Sequence, residues 1–159
     1  MKTMRNFIDR IQEYIIIFLT GLCIIVGTLQ VIGRFLIHYS IPWSEEFIRY
    51  SFVWITFLGA SLAVRENVHA RVSFFLEILS KPIQRALNIL SNLICIVFST
   101  VIIVEGINII MMQLQTKQLT SAMEIPIAFI FLAIPVSAVT MIFYFLTNII
   151  KNLHQLVQN

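Results

Sequence analysis

Four uncharged, apolar stretches, at residues 14–33, 50–64, 86–104 and 125–150, fill most of the chain. The hydrocarbon core of a bilayer is about 30 Å thick, so a helix needs roughly 20 apolar residues to cross it. Three stretches meet that alone, and 50–64 takes the remainder from its N-terminal flank. There Pro42 suits a first helical turn, and Glu45 and Glu46 suit the positive end of a helix dipole. Trp43 and Tyr50 suit a membrane interface. A helix over 43–64 would run about 33 Å, enough to cross. The pattern therefore predicts an all-α integral membrane protein, because lipid gives backbone groups no water to bond. It is one membrane domain over 1–159, with spans at about 14–37, 43–64, 86–113 and 125–150.

Two shorter segments carry helical periodicity with polar residues interleaved. Met4, Phe7, Ile8 and Ile11 alternate with Lys2, Arg5, Asp9, Arg10 and Glu13, which predicts an amphipathic helix over 1–13 lying in the headgroup layer. Val72, Phe75, Leu76 and Leu79 repeat at i, i+3, i+4 and i+7, then stop at Lys81-Pro82, which predicts a second surface-lying helix over 72–81. Small residues mark surfaces for close helix approach: Thr20, Gly21, Gly27 and Thr28 in span one, and Thr56, Gly59, Ala60 and Ala63 in span two. Asn88, Asn92, Cys95 and Ser99 form a stripe on span three. Span four begins at Pro126, and Pro135 inside it predicts a kink.

Composition agrees with a membrane solvent. Hydrophobic residues make up 58% of the chain and charged ones 12%, against about 25% charged in soluble domains. The net charge of +3 is scattered, with no basic cluster of the kind that binds nucleic acid. Lys2, Arg5, Arg10, Arg65, Arg71, Lys81, Arg85 and Lys151 fall on one side, and Arg34, Arg49 and Lys117 on the other. By the positive-inside rule both termini face the cytoplasm. The basic start before an apolar run is reminiscent of a signal peptide. The run continues to Ile37 with only Arg34 interrupting it, so it is read as a retained first span. Cys23 and Cys95 sit singly within spans and read as small packing groups.

Few residues offer chemistry. Glu45, Glu46 and Arg49 are the densest polar group, readable as an interfacial helix start with a Glu45–Arg49 pair at i, i+4, or as a pairing site for another subunit or for Arg34. Arg34 itself complements the C-terminal dipole of span one and can snorkel outward. Glu105 is the one acid within an otherwise apolar segment, in a stripe with Asn108 and Met112. Such a carboxylate is a candidate for proton or sodium transfer, or a satisfied and partly hydrated group. His38, His69 and His154 lie at span ends, whereas haem ligation in a helix bundle needs histidines paired inside the spans. No Ser/His/Asp set, metal cluster or phosphate loop stands out, so no enzyme and no cofactor is expected.

The string Trp43-Ser44-Glu45-Glu46-Phe47-Ile48-Arg49-Tyr50, with Phe57-Leu58-Gly59-Ala60 after it, resembles the W-x-E-E-x-x-R-Y…F-x-G-A pattern of the small membrane subunit of tripartite ATP-independent periplasmic (TRAP) transporters. Ala63, Arg65, His69 and Val72 continue the likeness. Thr120-Ser121-Ala122-Met123-Glu124-Ile125-Pro126 is similar to the family's T-S-P-A-L-x-I-P, with alanine directly after Ser121 here, and Ala133-Ile134-Pro135 fits the A-x-P that follows. The resemblance implies a scaffold-like subunit in a bacterial inner membrane. Such a subunit braces a larger membrane subunit that carries the transport site. A periplasmic binding protein delivers an organic acid, and an ion gradient, usually sodium, drives its symport. The segments around 40–46 and 115–124 would meet the binding protein.

Other readings remain in view. An autonomous four-helix small transporter working as a homodimer has a similar span count, but that class carries an acid deep in span one, and 14–33 has none. A membrane redox enzyme would need paired cysteines or internal histidines. An assembly factor without a transport role is the blandest alternative.

Overall fold

A computed structural model describes residues 2–36, 38, 41–65 and 81–157. The chain forms α1 (Lys2–Leu36), α2 (Pro42–Arg65), α3 (Lys81–Thr116), a single short turn of helix α4 (Ile127–Phe131) and α5 (Ala133–Val157). Among the described residues, four stretches of helix are long and apolar enough to cross a membrane: Ile8–Leu36, Pro42–Arg65, Ala86–Thr116 and Ile127–Lys151. Helix runs through each of the four apolar stretches, and Pro42 opens α2.

Two expectations change. Residues 2–13, read above as a separate arm, are the first turns of α1. Nothing between Lys2 and Thr20 breaks a helix, since neither Pro nor Gly occurs there, and the polar side of these turns is buried at Asp9 and Gln12 rather than turned out to the headgroups. The arm expected at 72–81 lies, up to residue 80, outside the described residues. Lys81 begins α3.

Span four is interrupted where Pro135 predicts a kink. Proline has no N–H for the Phe131 carbonyl, so the helix stops at Phe131 and restarts at Ala133. Leu132 bridges the two pieces, its N–H donating to Ala128 O at 3.2 Å and its carbonyl accepting from Val136 N at 3.2 Å. Pro135 then sits in the first turn of α5, where a missing N–H costs least.

α1 packs on α2, α2 on α5, and α5 on α3. The contacts are narrow because the meeting residues are small. Ser61, Ser137 and Ala133 are fully buried, and Ser99 and Ala138 nearly so. The serine hydroxyls are satisfied within their own helices, Ser137 Oγ donating to Ala133 O at 2.6 Å and Ser99 Oγ to Cys95 O at 2.8 Å. A hydroxyl bonded in this way presents little polar surface to its neighbour, so helices can approach closely in lipid. Val64, Tyr144 and Phe145 form the larger apolar core, with Cys95, Ile96, Met141 and Phe143 against it. The stripe of Cys95 and Ser99 on α3 therefore faces inward.

At Gly106, α3 comes close to α5. A Cβ built there would lie 3.3 Å from Ile134 Cγ2 and 3.3 Å from Pro135 Cδ. The small face expected on α2 behaves differently. Thr56 is exposed and a Cβ at Gly59 would meet nothing within 4 Å. The buried positions of α2 are Ser44, Glu46, Ser51, Leu58, Ser61 and Val64 instead.

Candidate functional site

Polar side chains gather at the two ends of the spans. At the α2 N-terminus, Ser44 closes the first turn: its N–H reaches Ile41 O at 3.3 Å and its Oγ donates to the same carbonyl at 2.7 Å. This places Glu46 one turn in, facing the segment between α3 and α4. That segment is a tight hairpin. Thr120 N donates to Ile125 O at 3.0 Å, Ile127 N to Gln118 O at 3.1 Å, and Thr120 Oγ1 accepts from Ile125 N at 3.1 Å. Lys117 and Glu124 enter and leave the turn with positive φ, 50° and 52°. The chain direction reverses so sharply that three successive amides point the same way, with no carbonyl to receive them.

Glu46 receives all three. Its Oε1 accepts from Ser121 N at 3.0 Å, and its Oε2 from Ala122 N and Met123 N, both at 3.1 Å. Successive N–H groups in a turn form a concave anion site, and here the anion is a side chain of the same protein. Glu46 is accordingly buried, at 7% exposure. The alanine that follows Ser121 directly is accommodated because Ala122 contributes its backbone N–H.

Glu45 and Arg49 do not pair. Glu45 is exposed, and the Arg49 guanidinium lies over the Tyr50 ring at 5.3 Å, a cation–π contact. Arg34 is exposed in the last turn of α1. Trp43 is about half exposed. Pro126 precedes α4 with φ −58° and ψ 124°, the extended backbone that a helix entry needs.

The opposite ends are joined by a second set of contacts. Arg65, the last residue of α2, reaches back to α1, 2.6 Å from Glu13 Oε1 and 3.5 Å from Asp9 Oδ2. Tyr144 of α5 donates its hydroxyl to Asp9 Oδ1 at 2.5 Å. One turn further in, Gln12 bridges three helices, donating through Nε2 to Thr140 Oγ1 at 3.1 Å while its Oε1 accepts from Ser61 Oγ at 3.1 Å. Ser61 Oγ also lies 2.8 Å from Leu58 O.

Sequence reasoning placed Arg65 through the family pattern but missed Asp9, Gln12, Glu13, Ser61, Thr140 and Tyr144 as its surroundings. The sign was there: Asp9, Gln12 and Glu13 recur at i, i+3 and i+4 and so share one helix face. Asp9 and Glu13 were assigned to a headgroup-facing side of the helix, whereas with Gln12 they form a bonding face toward α2 and α5. His69 lies outside the described residues. Ala60 is half-buried beside the open position of Gly59.

Glu105 stands apart from both sets. It is exposed, as is Asn108, while the adjacent Gly106 is buried against α5. Among the described residues no three His, Cys, Asp or Glu side chains lie close enough together to hold a metal ion.

Among the described residues, four membrane-length stretches of helix, joined through small side chains and by polar bonds that tie α2 to the α3–α4 turn at one end and α1 to α2 and α5 at the other, define a multi-pass helical membrane protein. The sequence profile of the tripartite ATP-independent periplasmic transporters, DctQ component, matches residues 23–155, and the chain belongs to that family. A protein of Haemophilus influenzae named as a TRAP transporter small permease is 31% identical over 106 residues, covering 67% of this chain and 65% of the relative. The C4-dicarboxylate TRAP transporter small permease protein DctQ of Vibrio cholerae is 26% identical over 103 residues, 65% of this chain and 44% of the relative. The chain thus spans less than two thirds of the length of either. The sialic acid TRAP transporter permease protein SiaT of Haemophilus influenzae is 27% identical over 143 residues, 89% of this chain but 23% of that protein.

Proposed function

We propose that this chain is the small, non-catalytic membrane subunit of a TRAP importer, bracing a larger membrane subunit that carries the transport site. The observation that carries this reading is the match to SiaT, where nearly all of this chain corresponds to 23% of a longer permease. Such a ratio fits a small component that is a separate chain in one protein and fused to its larger partner in another. The arrangement of polar groups supports a bracing role. Glu46 and the Asp9–Arg65–Tyr144 set serve to hold this chain's own helices in place. The open α2 face at Gly59 and Thr56 is available for a neighbouring chain.

The importer takes up an organic acid by ion-gradient-driven symport, usually of sodium, after delivery by a periplasmic binding protein. The named substrates of two relatives, C4-dicarboxylate and sialic acid, are both carboxylic acids, which supports the class. The subunit resides in the inner membrane with both termini cytoplasmic. The turn clamped by Glu46 then faces the periplasm, and the Arg65 set the cytoplasm. The autonomous homodimer is not favoured, since the family is that of a transporter component.

Affinity purification of the chain from its native membrane in mild detergent tests the proposal. A larger multi-pass protein recovered in fixed ratio is the expected result. Recovery as a self-associated dimer alone would return the autonomous transporter to first place.

A further inference from the structure

We propose that the outer stripe of α3, centred on Glu105 with Asn108 and Met112, is the seat of a transmembrane helix of the larger subunit, and that this helix presents an arginine or lysine to the Glu105 carboxylate. The inference rests on the subunit role proposed above and names the surface that performs it.

Its position along α3 is the first argument. Glu105 lies 11 residues, about 16 Å, before Thr116 and 19 residues, about 28 Å, after Ala86, the two ends of the span. The stretch is about 45 Å long against a hydrocarbon core of about 30 Å, so a core centred on it puts Glu105 about 9 Å inside the boundary, beyond the reach of its own side chain. The second argument is rotation. Gly106 is held against Ile134 and Pro135 of α5, with room for little more than its hydrogen. That contact fixes the turn of α3 and leaves Glu105 pointing away from the remaining helices. The carboxylate is exposed, and among the described residues it has no hydrogen bond or ion pair. The third argument is the setting. Val101, Val104 and Met112 around it are each more than half exposed, and Asn108 is exposed one turn on.

A carboxylate amid lipid-facing valines is costly, and intramembrane acids as a rule face a partner or water. Two acids of the other spans, Glu46 and Asp9, bond within the chain. Glu105 is left requiring a donor from beyond the described residues. A cationic side chain on a facing span meets the charge, and Asn108 adds a second hydrogen-bonding group on the same stripe.

The test is photo-crosslinking in the native membrane, with benzoylphenylalanine placed at Met112, at Val101, and at Ile17 on α1 for comparison. The expected result is an adduct to the larger membrane protein from Met112 and Val101. Adducts from Ile17 alone, or only lipid or a second copy of this chain at Met112, overturn the inference. In parallel, Glu105→Leu should lower the amount of larger subunit recovered by about tenfold or more, and Glu105→Gln by less, because glutamine still accepts a hydrogen bond. Leucine suits a lipid-facing site, so the variant's own membrane level should match wild type. Unchanged recovery with Glu105→Leu also overturns the inference. If the wild-type chain recovers no larger subunit, the proposed function fails with it. If the subunit is recovered but the adducts lie elsewhere, only this assignment fails.

Discussion

Replacing Tyr144 by phenylalanine removes one hydroxyl from the polar set that joins α1, α2 and α5. The ring is buried at 2% exposure, and phenylalanine preserves its volume and its contacts with Val64 and Phe145. What is removed is the hydroxyl that donates to Asp9 Oδ1 at 2.5 Å. Hydrogen bonds to charged groups contribute about 1.5–3 kcal/mol in proteins, while hydrogen bonds between membrane helices average about 0.6 and reach about 1.7 kcal/mol. Asp9 keeps Arg65 at 3.5 Å, which softens the loss. The expected destabilisation is therefore about 1–2 kcal/mol. Unfolding of the purified chain in mixed micelles with increasing denaturing detergent measures it, with Trp43 and Trp54 as fluorescent reporters. Asp9→Asn and the double variant complete a cycle. If the hydroxyl and the carboxylate act through each other, the double variant falls short of the sum of the singles by about 1 kcal/mol. Additive effects, or a Tyr144→Phe cost below about 0.5 kcal/mol, would refute the reasoning that this bond ties α5 to α1.

The other contacts give sharper yes-or-no outcomes. Glu46→Ala leaves the amides of Ser121, Ala122 and Met123 without their acceptor, so hydrogen exchange at these three should accelerate well beyond that of neighbouring helical amides; equal acceleration throughout the chain would mean that the carboxylate holds more than the turn. Gly106→Val pushes branched atoms into Ile134 and Pro135, where even a Cβ sits at 3.3 Å, and should destabilise the chain by about 1–3 kcal/mol in the same micelle assay. Gly59→Ala, with nothing within 4 Å, should leave the isolated chain equal or more stable by up to about 1 kcal/mol. If the two glycines respond alike, the packing assigned to α3 and α5 is wrong. Cysteines placed at Leu119 and Asn159 in a background lacking Cys23 and Cys95 should react with an impermeant thiol reagent from the periplasmic and the cytoplasmic side respectively; the reverse pattern would overturn the orientation.

The fold was legible in the chain because lipid imposes a simple demand. Twenty or so apolar residues in a row must be a helix, whatever they pack against, so 14–33, 86–104 and 125–150 declared themselves. Pro42 and the acids after it extended the short second run for equally local reasons, and Pro135 announced the break that separates α4 from α5. Local pattern misled at residues 1–13, where a polar helix face that meets water and one that meets a neighbouring helix have the same periodicity. Only the return of Arg65 and Tyr144 to that face distinguishes them.

The candidate sites divide the same way. The sequence by itself determined the solvent, the number of crossings and which polar residues are scarce enough to matter, because these depend on composition and on short-range periodicity. It placed Glu45, Glu46 and Arg49 in one cluster but not which of them has a partner. That was decided by the fold, which brings Glu46 to the Ser121 amide 75 positions along the chain. Likewise Glu105 and Gly106 are neighbours in sequence, and only the packing of α3 on Pro135 turns one inward and leaves the other facing outward. Hydrogen bonds and close contacts across such distances follow from how whole helices are rotated and seated. That rotation is set by the fit of small side chains between helices, to which the hydrophobic pattern of each separate span is blind.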